Sequence, residues 1–258
     1  MEQPDRPLGV TRWGRFLIQA ASVTAFLALW EIIARLGVFP PYLLPAPSTV
    51  AGTFADQLWA GNIARLLSHS LRHYALGLVF GVSLGVLLGL CLAWSRRLEL
   101  VLDPVIALLR PIPPLAWIPF AIIWFGITTQ AAAFLISLGA FYITLYSTYG
   151  GVKGIDWRLV EVARTLGEQS SWKIVRRVVI PAALPAILTG IRTSLGQGWM
   201  TVVAAEMFGI QGIGLKMLEA AGLLAMDVVI AYMAVIGLVY FVIDRTFLTM
   251  EARLLRWR

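Results

Sequence analysis

EVARTLGEQSSWKIVRRVVIPAALP, residues Glu161–Pro185, is the only long polar and basic segment in the middle of an otherwise apolar chain. Its reading decides the fold. The pattern predicts two short helices joined at Gly167 and closed by Pro181. Asp156 is placed to cap a first helix over 157–166, on which Trp157, Val160, Ala163 and Gly167 recur on one face. Ala163 and Gly167 make that face small enough for close approach by another protein. Glu161 lies three residues from both Arg158 and Arg164, within pairing reach of either. Gly167 suits the left-handed position that ends a helix. A second helix starts at Ser170, with Trp172, Val175 and Val179 on one side and Lys173, Arg176 and Arg177 on the other. Two readings follow: a basic amphipathic loop lying on anionic lipid, or a docking knob for a cytosolic protein.

What surrounds the segment is oily. Of 258 residues 59% are hydrophobic and 14% charged, against about 25% charged in soluble domains, and the mean hydropathy is +0.80. The chain therefore reads as an integral membrane protein. The net charge of +7 sits in short tracts beside apolar runs, which fits loop charges rather than a nucleic-acid surface. One cysteine, Cys91, excludes an intrachain disulfide, and with His69 and His73 it makes no metal cluster. The run from about Phe16 to Val38 follows Arg6, Arg12 and Arg15 but is too long for a signal-peptide core; it is expected to be a retained span.

A span needs about 20 mostly apolar residues. Six stretches qualify, roughly 16–37, 72–95, 104–127, 131–152, 186–208 and 227–249. Barrel-type alternation is absent, and backbone groups in lipid must be satisfied internally. The expected fold is all-α: one transmembrane domain over residues 1–258 with six helices and a cytoplasmic loop at 153–185. Basic clusters follow the even-numbered spans (Arg96 and Arg97; Lys153 to Arg177; Arg253, Arg256 and Arg258) and precede the first. Both termini are therefore expected in the cytoplasm. In the first external loop, Phe54, Leu58 and Trp59 are expected on one face of a short interfacial helix.

The third span is unusual. Pro111, Pro113, Pro114 and Pro119 cannot all sit in a straight helix. Either the helix enters late, or a broken segment lines a pathway with Arg110 at its mouth. Intramembrane charge is the first place to seek a pathway, so Glu206 is placed at the mouth or on a neighbouring loop, and Arg192 is expected to pair or snorkel. Trp117, Trp124 and Trp199 are candidates for the pathway or for packing. Glu31 and Arg35 are spaced for an intrahelical pair. Gly209–Gly214 follows a membrane helix, not a strand, so it is not a nucleotide loop. His69 and His73 are expected to be structural or solvated.

Glu161-Val162-Ala163, Gly167 and Ile180-Pro181 resemble the EAA loop of permease subunits of bacterial ATP-binding-cassette importers. Val162 stands where alanine is common, and the interval from Gly167 to Pro181 is about one residue longer than usual. Arg110-Pro111-Ile112-Pro113-Pro114-Leu115-Ala116-Trp117-Ile118-Pro119, then Ile123 to Ile127, and the stretches Thr189 to Arg192 and Gly198 to Met207 are similar to the nitrate, sulfonate/taurine and bicarbonate branch. The resemblance implies a type I (MetI-like) permease fold in the bacterial inner membrane. It implies two copies forming the path of a small solute, such as nitrate, taurine, another sulfonate or bicarbonate. Two cytosolic ATPase subunits would bind ATP and Mg, and a periplasmic or lipid-anchored binding protein would deliver the solute. Glu161, Ala163, Arg164, Gly167 and Pro181 would couple to the ATPase. Arg110, Pro114, Trp117, Trp124, Trp199 and Glu206 are the pathway candidates. No Walker motif is present, so no catalytic residue, metal or cofactor is assigned to this chain. A gradient-driven transporter or channel would favour acidic or histidine relays and inverted repeats; a membrane enzyme would need a polar cluster at one depth. Neither pattern is evident.

Overall fold

The computed structural model describes residues 12–255. Arg6, Arg256 and Arg258, and the side chains of Arg12 and Arg15, lie outside the described residues. The chain is all-helical: α1 Arg12–Arg35, α2 Pro47–Trp59, α3 Asn62–Trp94, α4 Arg96–Leu109, a 3-10 turn Pro114–Trp117, α5 Ile118–Phe125, α6 Thr129–Lys153, α7 Arg158–Thr165, α8 Ser171–Ile174, a π turn Val175–Val179, α9 Ile180–Glu206, α10 Ile213–Gly222 and α11 Met226–Leu254. Among the described residues, five helical stretches are long and apolar enough to cross a membrane, and the bent pair α4/α5 makes a sixth if counted as one span. The long helices run alternately between two ends. Arg96, Arg97, Lys153, the α7–π-turn segment and Arg253 share one, hereafter the basic end; α2 and α10 lie at the far end.

The centre of the bundle is α3 against α6 against α9. Gly77, Gly81, Gly85 and Gly89 repeat every four residues on α3, a stripe that lets two helix backbones touch. A Cβ on Gly77, Gly85 or Gly89 would stand 2.7 Å from the carbonyl oxygens of Ala133, Phe141 and Leu145 of α6 respectively. On the other side of α6, a Cβ on Gly151 would meet that of Ala186 of α9 at 2.6 Å. Close backbones leave little lipid between helices, and dispersion contacts replace the hydrophobic drive that water supplies elsewhere. This four-residue glycine period is plain in the sequence, but hydropathy windows do not register it.

The irregularity expected at the prolines of the third apolar stretch is present: α4 and the Pro114–Phe125 segment meet at 86°, because the prolines deny the chain consecutive N–H donors. Two expectations are corrected. Pro181 does not close a helix. The chain runs from Ser171 through the π turn into α9, with Pro181 in its first turn. A π turn holds one more residue than an α turn, and this one falls inside the interval from Gly167 to Pro181. In α2, Phe54 turns inward against the cluster of Ile63, Tyr232 and Val235, while Leu58 and Trp59 face outward; the three do not share a face.

Two ion pairs tie neighbouring helices together. Arg192 of α9 grips Asp244 of α11 through Nε–Oδ1 at 2.9 Å and Nη2–Oδ2 at 3.2 Å. Glu31 pairs with Arg35 and also accepts from the backbone N–H of Ser48 at 3.0 Å, tying α1 to the start of α2.

Candidate functional site

At the basic end, α7, α8 and the π turn form an elbow that is seated rather than dangling. Val160, Ile174 and Val179 sink into a cluster with Ala93 of α3, Val152 of α6, and Ala183 and Ile187 of α9. Trp157 packs near Trp94, ring centroids 6.3 Å apart. Asp156 Oδ1 accepts from Arg158 N–H at 3.0 Å and holds the start of α7. Its end is a Schellman cap: Gly167 N–H donates to Arg164 O at 3.0 Å, Glu168 N–H donates to Ala163 O at 3.1 Å, and Gly167 has φ +94°. Glu168 then reaches across the turn to Arg177 at 3.4 Å and Lys173 at 3.6 Å, bracing the two arms.

Seating one face of α7 settles which face is offered outward. Val160 is 3% exposed, so the Trp157–Val160–Ala163 side belongs largely to the protein's own body. The outward surface carries Leu159, Val162 and Leu166, the last 83% exposed, beside Glu161 and Arg164, both exposed. Glu161 makes no ion pair among the described residues, in contrast to the expected link with Arg158 or Arg164. A Cβ on Gly167 would meet nothing within 4 Å; within the chain, that glycine is required by its backbone angle, not by close packing. Pro181 is exposed at the base of the elbow.

A second feature lies at the break in the third span. Arg110, Ile112, Pro113 and Pro114 face Gly139, Tyr142, Tyr146 and Ser147 of α6 and Gln197 of α9 across a cavity of about 340 Å³. Pro114 Cγ approaches to 3.4 Å of where a Cβ of Gly139 would stand, near the middle of α6. Pro114 therefore sits beside the middle of α6. The Arg110 guanidinium lies over the Tyr146 ring, 4.2 Å from its centroid, a cation–π contact. Among the described residues it has no carboxylate partner. An arginine beside a membrane-spanning helix without an acidic counterpart is a default functional feature, and the cavity adds tyrosine, serine and glutamine side chains.

The other pathway candidates part company. Trp117 and Trp124 join Phe120, Phe125 and Phe134 in an aromatic cluster beyond the bend. Trp199 is 3% exposed, donates to Ile236 O at 3.1 Å and meets Tyr74 edge-on at 5.2 Å; it is packing, away from the cavity. Glu206 is fully buried at the far end of α9. Its Oε1 lies 2.7 Å from His73 Nε2 and its Oε2 accepts from Gly214 N–H at 2.6 Å, while Ser70 Oγ accepts from Ile213 N–H at 3.1 Å. Together they pin the Gly209–Gly214 turn onto α3. Tyr146, Gln197 and Leu166 were not singled out by the sequence; aromatic and amide residues inside apolar runs were the available signal.

Glu206→Ala strands His73 Nε2 and the Gly214 N–H in the interior, so we expect a loss of about 3–5 kcal/mol and a clearly lower melting temperature of the purified membrane domain. Glu206→Gln, which keeps an acceptor, is expected to fall between. An unchanged melting curve for the alanine variant would show that the pair is dispensable.

Residues 81–255 match the family described as "Binding-protein-dependent transport system inner membrane component". The chain is 36% identical, over 95% of its length and 88% of the relative's, to the putative aliphatic sulfonates transport permease protein SsuC of Bacillus subtilis. It is 35% identical to the taurine transport system permease protein TauC of Escherichia coli, covering 93% and 89% of the two chains. Identity to the bicarbonate transport system permease protein CmpB of Synechococcus elongatus is 32%, over 98% and 95%. Among solved structures, the inward-facing MetNI methionine ABC transporter superposes with a TM-score of 0.67 at 20% identity, over 77% of this chain and 98% of the other. An amino acid ABC transporter crystallised with histidines gives 0.62 at 18%, over 79% and 97%.

Proposed function

We propose, on the premise that this chain belongs to the family of binding-protein-dependent transport system inner membrane components, that its elbow receives mechanical work from a cytosolic ATPase and its broken third span meets the solute. The chain is a permease subunit of an ABC transport system. The observation that carries the finer reading is the elbow. A helix seated by Val160 and Ile174 and presenting Leu166, Val162 and an unpaired Glu161 has an apolar knob with a free charge beside it. Movement of such a knob is transmitted rigidly, because the same residues pack on α3, α6 and α9.

In this reading the basic end faces the cytosol of a bacterial inner membrane, as lysine and arginine placement directs. Two copies of the chain pair around the pathway, and two ATPase subunits, which bind ATP and Mg, grip the two elbows. A binding protein docks at the far end, where α10 and the pinned 209–214 turn lie. The proposed cargo is a small oxyanion. The sulfonate, taurine and bicarbonate permeases among the relatives support this, and so does the Arg110 cavity, where a guanidinium without a carboxylate offers a counter-charge. A gradient-driven carrier would not need the elbow, so co-purification with an ATPase subunit and loss of uptake on ATP depletion separate the two.

Arg110→Gln in the assembled, proteoliposome-reconstituted transporter is expected to reduce uptake of the anion about tenfold, equivalent to about 1.4 kcal/mol, while elbow-dependent ATPase binding stays intact. Full uptake by this variant would remove the solute role from Arg110; loss of ATPase binding would instead assign it a structural one.

A further inference from the structure

One groove in the molecule belongs neither to the solute path nor to the outward face of the elbow. It opens between the basic end of α3 and the second arm of the elbow, α8 and the π turn, and is about 340 Å³ in volume. Its walls include Leu87, Leu90, Cys91 and Trp94 on α3, and Trp172 and Val175 on the elbow. The corner residues Ser95 and Leu98 and the elbow residue Ser171 complete the rim. The lining is apolar apart from small hydroxyl and thiol groups.

Basic residues are chain neighbours of lining residues on both walls. Arg96 and Arg97 fall in the chain between the rim residues Ser95 and Leu98, and Arg176 directly follows Val175. Arg96 is engaged with Glu99 at 3.0 Å, and Lys173 and Arg177 with Glu168. Arg97 and Arg176 are exposed and have no acidic partner among the described residues. Trp172, 69% exposed, and Trp94 are the residue type that settles at the headgroup level of a bilayer. An apolar slot with tryptophans at its edge, and with exposed, acid-free arginines next in the chain to its lining residues, matches a molecule with an acyl chain and an anionic phosphate.

We propose that this groove holds an acyl chain of an anionic phospholipid, with its phosphate drawn to Arg97 and Arg176. The occupant would be a brace. It would fill the space between α3 and the π turn, so the elbow would move with α3 and not against it. The assignment rests on the membrane reading of the chain and on the basic end facing an anionic leaflet, but not on which ATPase grips the elbow.

Cys91 lines the groove and is the only cysteine of the chain, so its reactivity reports occupancy without background from this subunit. The experiment uses the assembled transporter in detergent micelles doped with phosphatidylglycerol or with phosphatidylcholine of identical acyl chains. Maleimide addition is read on this subunit by intact mass. Phosphatidylglycerol is expected to slow addition about thirtyfold more than phosphatidylcholine at equal mole fraction, equivalent to about 2 kcal/mol for the two basic groups together. The double substitution Arg97→Gln with Arg176→Gln is expected to erase the difference, and Arg97→Gln alone to reduce it. Equal slowing by the two lipids, a preference that survives both substitutions, or equal protection by inorganic phosphate overturns the proposal. Labelling needs no transport. A transporter that fails to couple yet keeps the lipid preference would count against the elbow reading and leave this one standing.

Discussion

Gly85→Leu leaves no folded permease. A Cβ at residue 85 would already stand 2.7 Å from the Phe141 carbonyl oxygen, 3.0 Å from Thr144 Cβ and 3.1 Å from the Leu145 N. Two of those atoms are backbone of α6 and cannot rotate away. A leucine therefore forces α3 and α6 apart along the seam built by Gly77, Gly81, Gly85 and Gly89. Overpacking costs about 1–3 kcal/mol where neighbours can yield; here they cannot, and every contact along the pair loosens with the first. The expected readout is a fall of more than about tenfold in monodisperse protein on size-exclusion chromatography, equivalent to more than about 1.4 kcal/mol. Gly52→Ala in α2 is the control, because a Cβ there meets nothing within 4 Å and alanine favours a helix. Normal yield of the leucine variant would mean that α3 and α6 do not pack as described.

Leu166→Asp abolishes transport without unfolding the membrane domain. Leu166 is the most exposed apolar side chain of the elbow and its burial in a partner is worth about 1.5–3 kcal/mol; an aspartate there adds the cost of desolvating a charge. Together these predict a loss of uptake of about 100-fold, equivalent to about 2.8 kcal/mol. Size-exclusion behaviour should be unchanged, because residue 166 makes no contact with the core clusters. Glu161→Lys reverses the free charge beside it and is expected to act in the same direction. Gly167→Val places a β-branched residue at φ +94°, undoes the cap and misaims α7, with the same outcome. Uptake within twofold of normal in Leu166→Asp would sink the elbow as the point of coupling.

The permease assignment joins the two expectations. A transport subunit needs a rigid way to receive work and a yielding place for solute. In the proposed reading, the close-packed α3–α6–α9 seam continuous with the elbow serves the first need, and the bend between α4 and α5, where prolines leave the backbone irregular beside a cavity, serves the second.

Much of this was legible along the chain. The positions of the long apolar stretches, the polar elbow between the fourth and fifth of them, the end of α7 at Gly167 and the irregularity at Arg110–Pro119 all follow from local rules: length against membrane thickness, backbone angles open to glycine, donors missing at proline. Their reach is a few residues, and so is the reach of the reasoning.

Which side of each helix packs was settled only by the assembled bundle. Val160 turned inward and Leu166 outward, Trp199 went to the core, Arg110 to a cavity, and Glu206 to His73 across 133 positions of sequence. In water an amphipathic stripe announces the buried face. In lipid the buried and outward faces are both apolar, so hydropathy marks a helix as membrane-crossing and is silent about its rotation. Rotation comes from shape: a row of glycines on α3 finding a row of carbonyls on α6, and every polar partner then falling where that contact puts it.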